Sequence, residues 1–143
     1  MNIPPYSKNK LITYIQTNPD IPKFSFKGNS LWAWCSKVVD GDTIHACFFI
    51  GDSFLKFNIR LMGIDTPELR SKDKQEKQRA IDAKNFLISL ILDKPIYLVL
   101  DKSDKYGRLL GFIHLDETTV NTDDNMMNSI NQLLIDRGHA VVY

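Results

Sequence analysis

Apolar and polar positions change their spacing several times along the chain, and each change marks an element. Between Lys8 and Thr17, Leu11, Ile12 and Ile15 share one side of a short helix, with Tyr14 beside them and Ser7 placed as its N-cap. Asn18-Pro19-Asp20 and Ile21-Pro22 break that helix, and Lys27-Gly28-Asn29 is a further turn signal. Leu31 to Val39 is rich in Trp and Val and reads as a strand. Thr43 to Ile50 reads as a second strand, and Asp40-Gly41-Asp42 between the two is a hairpin signal. After Gly51-Asp52, Leu55, Phe57, Ile59 and Leu61 alternate with Lys56, Asn58 and Arg60. That period of two predicts a half-buried strand with Arg60 on its polar face.

Asp65-Thr66-Pro67-Glu68 ends this strand, and the basic stretch Leu69 to Arg79 reads as a mobile loop. Ala80, Ala83, Phe86, Leu87, Leu90 and Ile91 then fall at helical spacing, which predicts a helix over 77–92. Pro95 to Leu100 and Arg108 to Leu115 read as two more strands, joined through a turn at Lys105-Tyr106-Gly107. Asp116 to Asn125 is polar and acidic, a loop. Met126 to Arg137 reads as a second core helix, stopped by Gly138 in the C′ position. The sum is a small α+β domain over 31–143, preceded by an N-terminal extension over 1–30.

Composition narrows this picture more by exclusion than by assertion. With 143 residues, 43% of them hydrophobic, one sizeable core is within reach and a second domain is not. No run approaches the roughly 20 apolar residues of a membrane span. The N-terminus has no apolar core of a secretory signal, so an intracellular setting is expected. A net charge of +1 gives no general attraction to nucleic acid, so any anion-binding role has to come from local placement of Arg and Lys. Cys35 and Cys47 make no disulfide framework, and are expected to face each other across the first hairpin as small hydrophobes. Without a Cys/His cluster, a structural zinc site is excluded. His45, His114 and His139 are scattered and read as structural. Trp32 and Trp34 share a strand face, which reads first as a packing surface and second as a place where bases stack.

Each polar motif has an ordinary explanation by itself. Asp40-Gly41-Asp42 suits a tight turn, Asp65-Thr66-Pro67-Glu68 suits a helix start, and Lys105-Tyr106-Gly107-Arg108 suits a solvated hairpin. Together they place two acidic clusters at the ends of neighbouring strands, with Arg60 and Arg108 on strands of one sheet. Hard oxygen ligands of this kind suit Ca²⁺ or Mg²⁺. A divalent cation with two guanidinium forks is equipment for holding a phosphodiester, and Glu68 stands where it can take a proton from water.

Four segments in order carry a more specific signal. Val38-Val39-Asp40-Gly41-Asp42-Thr43-Ile44, Arg60-Leu61-Met62-Gly63-Ile64-Asp65-Thr66-Pro67-Glu68, Asp104-Lys105-Tyr106-Gly107-Arg108, and Asn131-Gln132-Leu133-Leu134 with Gly138-His139-Ala140 resemble the staphylococcal nuclease family. The resemblance spans residues 31–143. It implies a five-stranded OB-type barrel with packed helices, and a Ca²⁺-dependent nuclease acting on DNA or RNA that leaves 3′-phosphate ends. It further implies that Asp42 and Asp65 give carboxylates to the metal, that Thr66 gives its carbonyl, and that Asp40 stands behind them. Glu68 takes the place of the general base, Arg60 and Arg108 that of the pair on the scissile phosphate, and Lys105 and Tyr106 contact a terminal phosphate. Tyr143 is similar to a nucleotide-contacting tyrosine. The expected partner is DNA or RNA, single-stranded in preference, bound by a monomer, with no membrane involved. A non-catalytic OB module that binds nucleic acid or protein is the alternative reading. Because the family pattern continues into a further helix after the position of Tyr143, the N-terminal helix is expected to pack in its stead through Leu11, Ile12, Tyr14 and Ile15.

Overall fold

The computed structural model describes residues 5–143, and residues 1–4 of the N-terminal extension lie outside the described residues. The alternating stretches become β1 (Ser30–Asp40), β2 (Thr43–Ile50) and β3 (Ser53–Leu61), an antiparallel meander. After a two-residue β4 (Ile64–Asp65) and a helix, β5 (Pro95–Ser103) and β6 (Leu109–His114) complete a closed barrel in the order β1-β2-β3-β6-β5. Only the β3–β6 pairing is parallel among these contacts, with Arg60 opposite Leu110. β7 (Val141–Val142) pairs with β4 in a separate two-stranded ladder, Asp65 opposite Val141. The molecule is therefore an α+β protein built on a five-stranded OB-type barrel.

The inward positions of all five strands fill the barrel, Ile44, Phe48, Ile59, Leu98 and Ile113 among them. Two helices join the same core. The first core helix, residues Lys74–Ile91, packs on β1 and buries Ala80, Ala83, Leu87 and Ile91. The last helix, Ile130–Asp136, buries Ile130 and Leu134 and packs on β6. In chain order these are α2 and α3, and the N-terminal helix Lys8–Thr17 is α1. Among the described residues no helix is long and apolar enough to cross a membrane.

Several boundaries differ from expectation, each for a local reason. α2 starts at Lys74, inside the stretch read as a loop, because Asp73 caps it by accepting from the Gln75 N–H at 2.9 Å. Its first turns are polar since they face water, and so show no apolar period. α3 starts at Ile130 rather than Met126. Asn128 takes a left-handed φ of 63° and Ser129 caps the helix by accepting from the Gln132 N–H, so Met126–Ser129 is a turn. Gly138, with φ of 77°, ends the helix where expected. In the acidic loop, Asp116 caps a single 3-10 turn over Glu117–Thr119.

Two expectations about packing fail. Cys35 lies opposite Ala46, and Cys47 opposite Trp34. One register step separates the cysteines, so Cys35 points into the barrel and Cys47 outward. Burial pushes the Cys35 thiol up to about 11. α1 forms over the predicted residues with its Ser7 cap, yet buries no residue, and Leu11 and Tyr14 are 68% and 60% exposed. The N-terminal segment is anchored instead by Phe26, which packs edge-on against Phe48 and Phe57, and by Gly28 and Asn29, which exchange backbone hydrogen bonds with Leu100.

Candidate functional site

The β1–β2 turn brings the first acidic cluster to one end of the barrel. The Asp42 carbonyl accepts from the Leu61 N–H at 2.8 Å, which joins the turn to the end of β3. Gly41 sits where a Cβ would come within 3.0 Å of both the Ala83 Cβ and the Thr66 Cγ2. Only a residue without a side chain lets α2 and the loop after β4 close over this turn.

That close approach makes Asp42 a buried junction. One carboxylate oxygen accepts from the Thr66 N–H (3.2 Å) and hydroxyl (3.0 Å) and pairs with Arg60 Nη1 (3.2 Å), while the other accepts from Thr43 Oγ1. Arg60 is opposite Thr43 in the β2–β3 register, so its guanidinium emerges beside Asp42. Its second amino group reaches Asp65 Oδ1 at 3.5 Å, and Nη1 also donates to the Leu61 carbonyl. One guanidinium thus bridges the two carboxylates that the sequence singled out. Asp40 accepts from the Asp42 N–H. Burial and the adjacent Asp42 carboxylate push Asp40 up to about 6, against the opposing pull of that N–H and of Arg60.

The second half of the site comes from the β5–β6 hairpin. Arg108 lies two residues before Leu110, the partner of Arg60, and so projects from the same side of the sheet. Asp104 holds it: one carboxylate oxygen accepts from Arg108 Nε at 2.8 Å, and the other accepts from the N–H groups of Tyr106 and Arg108. Burial works against ionisation of Asp104, but those N–H groups and the guanidinium outweigh it and hold the carboxyl below its ordinary value. The Arg108 and Lys105 cations both lie over the Tyr106 ring.

These groups line one open cleft of about 650 Å³, with Asp40, Asp42, Arg60, Asp65 and Glu68 on one side and Asp104, Lys105, Tyr106 and Arg108 on the other. Glu68 is exposed, and Thr66 is buried behind Asp42. Tyr143 also lines the cleft; its N–H donates to the Gly63 carbonyl, and its ring lies 5.9 Å from Arg60. A second hollow of about 610 Å³ lies against α3, but its charged groups are only Asp124 and Asp136, so it offers an anion no cation. All ten residues named from the sequence, Tyr143 included, are therefore at one place, nine of them lining the cleft and Thr66 just behind. Two supporting residues had no role assigned from sequence, Asp104 and Asn131. Buried Asn131 donates to the Met62 and Gly111 carbonyls and accepts from the Ile113 N–H, fastening α3 to the strand ends beneath the cleft. An amide on an apolar helix face was the signal for it.

The donor set fits a hard divalent cation in chemistry: carboxylates of Asp42 and Asp65 line the cleft, and Asp40 and Asp42 are crowded acids whose repulsion a cation relieves. Among the described residues no three His, Cys, Asp or Glu side chains converge to hold an ion by themselves, so water or substrate oxygens would have to complete its shell.

Comparison with known proteins agrees with this geometry. An uncharacterized protein of Methanocaldococcus jannaschii is 32% identical over 127 residues, which span 75% of this chain and 56% of its own. An uncharacterized endonuclease of Escherichia coli O157:H7 is 33% identical over 107 residues, spanning 75% of this chain and 58% of its own. A thermonuclease of Staphylococcus hyicus is 29% identical over 87 residues, 59% of this chain and 49% of its own. The chain thus spans about half the length of these relatives. The family described as staphylococcal nuclease homologue matches residues 58–143, a stretch that contains both cleft arginines, Asp65 and Glu68. With more than half its length and most of its cleft inside that match, the chain belongs to the staphylococcal nuclease family.

Proposed function

We propose that the chain is a nuclease that hydrolyses phosphodiester bonds of DNA or RNA in this cleft with the help of Ca²⁺. The observation that carries the reading is that Arg60, near the end of β3, and Arg108, in the hairpin just before the adjacent parallel strand β6, face one cleft that also holds Asp42, Asp65 and Glu68. Arg60 and Arg108 present planar forks to the non-bridging oxygens of the phosphate and meet the charge that grows there as water attacks. Lysine at either place would lack that fork. Glu68, exposed at the cleft edge, takes the proton of the attacking water. Lys105 and Tyr106, in the exposed turn of the hairpin, hold a terminal phosphate. Asp42, Asp65 and the Thr66 carbonyl would hold the cation, with Asp40 behind them. When bound, the ion supplies positive charge and Lewis acidity at the phosphate. Cleavage of the P–O5′ bond leaves 3′-phosphate ends, as the family resemblance implies.

The cleft is open and shallow beside the barrel, with no wedge to deform a duplex, so a single strand is the better substrate and the protein acts as a monomer. The test is cleavage of single- and double-stranded DNA and RNA with Ca²⁺ and then with EDTA. EDTA is expected to abolish cleavage and Ca²⁺ to restore it, and Glu68→Gln is expected to lower kcat by at least ~10² in a folded protein. Cleavage that persists in excess chelator overturns the metal. Binding of oligonucleotide without cleavage under every condition assigns the chain to the non-catalytic module instead.

A further inference from the structure

Outside the cleft, the barrel carries large aromatic side chains in water. Trp32, Trp34, Phe49 and Phe54 are 47%, 43%, 66% and 54% exposed, and all lie at outward positions of β1, β2 and β3. Phe49 and Phe54 are register partners with ring centroids 4.8 Å apart, and Trp32 packs edge-on against Tyr97 of β5 at 5.3 Å. Rings of this size are ordinarily largely buried, so four left in water on one side of the barrel form a patch that packing within the described residues does not explain.

Outside the cleft, the charged side chains on this face of β1–β3 are two lysines. Lys56 lies opposite Cys47, itself the partner of Trp34, and Lys37 lies opposite His45. Neither lysine is in an ion pair among the described residues. Burial first, and then Lys37 and Lys56 from the flanking strands, hold the His45 imidazole between them below its ordinary value. Between β1 and β3 the acids are Asp40 and Asp42, in the cleft, and Asp52, in the β2–β3 turn.

The face is continuous with the cleft. Outward positions on β2 run Thr43, His45, Cys47, Phe49, and on β3 they run Arg60, Asn58, Lys56, Phe54. Thr43 and Arg60 are partners and both line the cleft. Six residues of β3 lead from Arg60 to Phe54, about 20 Å at the usual rise of a strand.

We propose that this outward face is a second binding surface for single-stranded nucleic acid, along which a strand runs from the cleft over Lys56 and Lys37 to stack its bases on the exposed aromatics. The direction of the strand rests on the nuclease reading, and the binding itself does not. Aromatic faces interleaved with unpaired lysines are what a sequence-tolerant single-strand platform needs. A second copy docked symmetrically through this face would bring four lysines, Lys37 and Lys56 of each copy, into one interface. The family match begins at residue 58, so the platform belongs to the part of the chain before it.

Trp32 and Trp34 are the chain's two tryptophans, so its fluorescence reports this face directly. The wild-type protein in EDTA is titrated with an oligothymidylate of about twelve residues, inside the range one OB barrel holds. Quenching that saturates and weakens with salt is expected. The Phe49→Ala, Phe54→Ala double variant, which keeps both reporters, is expected to weaken binding by at least about 5-fold, the low end for one base–aromatic stack. With Ca²⁺, the same variant is expected to lose preference for the long oligonucleotide over a dinucleotide by a similar factor. Cleavage without any quenching overturns the platform and leaves the nuclease reading intact. Quenching without cleavage in Ca²⁺ overturns the nuclease reading and supports the platform. A salt-insensitive blue shift that tracks protein concentration gives the face to self-association and overturns the proposal.

Discussion

The two sides of the cleft are built in different ways. On the β3 side, Arg60 has a side chain only 14% exposed and is locked to Asp42 and Asp65, while Asp42 is bonded to Thr66, 24 residues away. On the hairpin side, Arg108 is 32% exposed and its partner Asp104 is four residues away. One half is a tertiary junction whose parts hold the barrel end together. The other is a self-contained loop that the barrel carries. Functional groups of equal chemical standing can therefore have quite different structural standing.

Replacing each arginine sharpens that contrast most. Arg60→Ala and Arg108→Ala are each expected to lower kcat at least ~10², measured on single-stranded DNA. Arg60→Ala is also expected to cost about 3 kcal/mol of stability, because it strands the buried Asp42 carboxylate. Arg108→Ala is expected to cost no more than about 1 kcal/mol. Equal melting losses in the two variants would break the comparison. Gly41→Ala is expected to destabilise by about 1–3 kcal/mol, since its methyl meets Ala83 and Thr66 at 3.0 Å. Urea unfolding at unchanged m-value checks it. Asp104→Ala is expected to cost about 1 kcal/mol of stability, its turn N–H groups being open to water, yet to lower activity clearly by freeing Arg108.

The smallest effect lies away from both halves. His114 is fully buried, its Nδ1 against Thr119 and its Nε2 without a partner, and burial holds its imidazole below the ordinary 6.5. The folded state therefore binds this proton less readily than the unfolded one. Stability from the neutral ring is present above 6.5 and is lost as pH falls below it. His114 contributes a fall in melting temperature over that range, opposed below about 6 by the protonation of Asp40, and His114→Gln is expected to remove the His114 contribution and so to melt relatively higher on the acid side.

The same division explains what was legible in the sequence. Alternation placed β3 and Arg60's face correctly, and the turn residues placed the hairpins, because strands and turns are written in local periods. The start of α2 was not legible, since polar capping residues and a solvated face give no apolar rhythm. α1 was legible as a helix but not as an unburied one, because a stripe of Leu11, Ile12 and Ile15 says what can be buried and not whether anything arrives to bury it. The motifs marked the cleft residues one by one. That Arg60 joins Asp42 to Asp65 depends on the β2–β3 register that sets Arg60 opposite Thr43, and no single motif contains that register.

The lone parallel pairing, β3 with β6, sets an order in time. The β1–β2–β3 meander closes through short turns and carries Asp40, Asp42 and Arg60 together as it forms. Arg108 reaches them only when β6 docks on β3, across a separation of about fifty residues whose loop entropy must be met first. During refolding, the β3 side of the cleft is therefore expected to form before Arg108 joins it, and cleavage of single-stranded DNA is expected to return with barrel closure rather than with the first gain of strand structure.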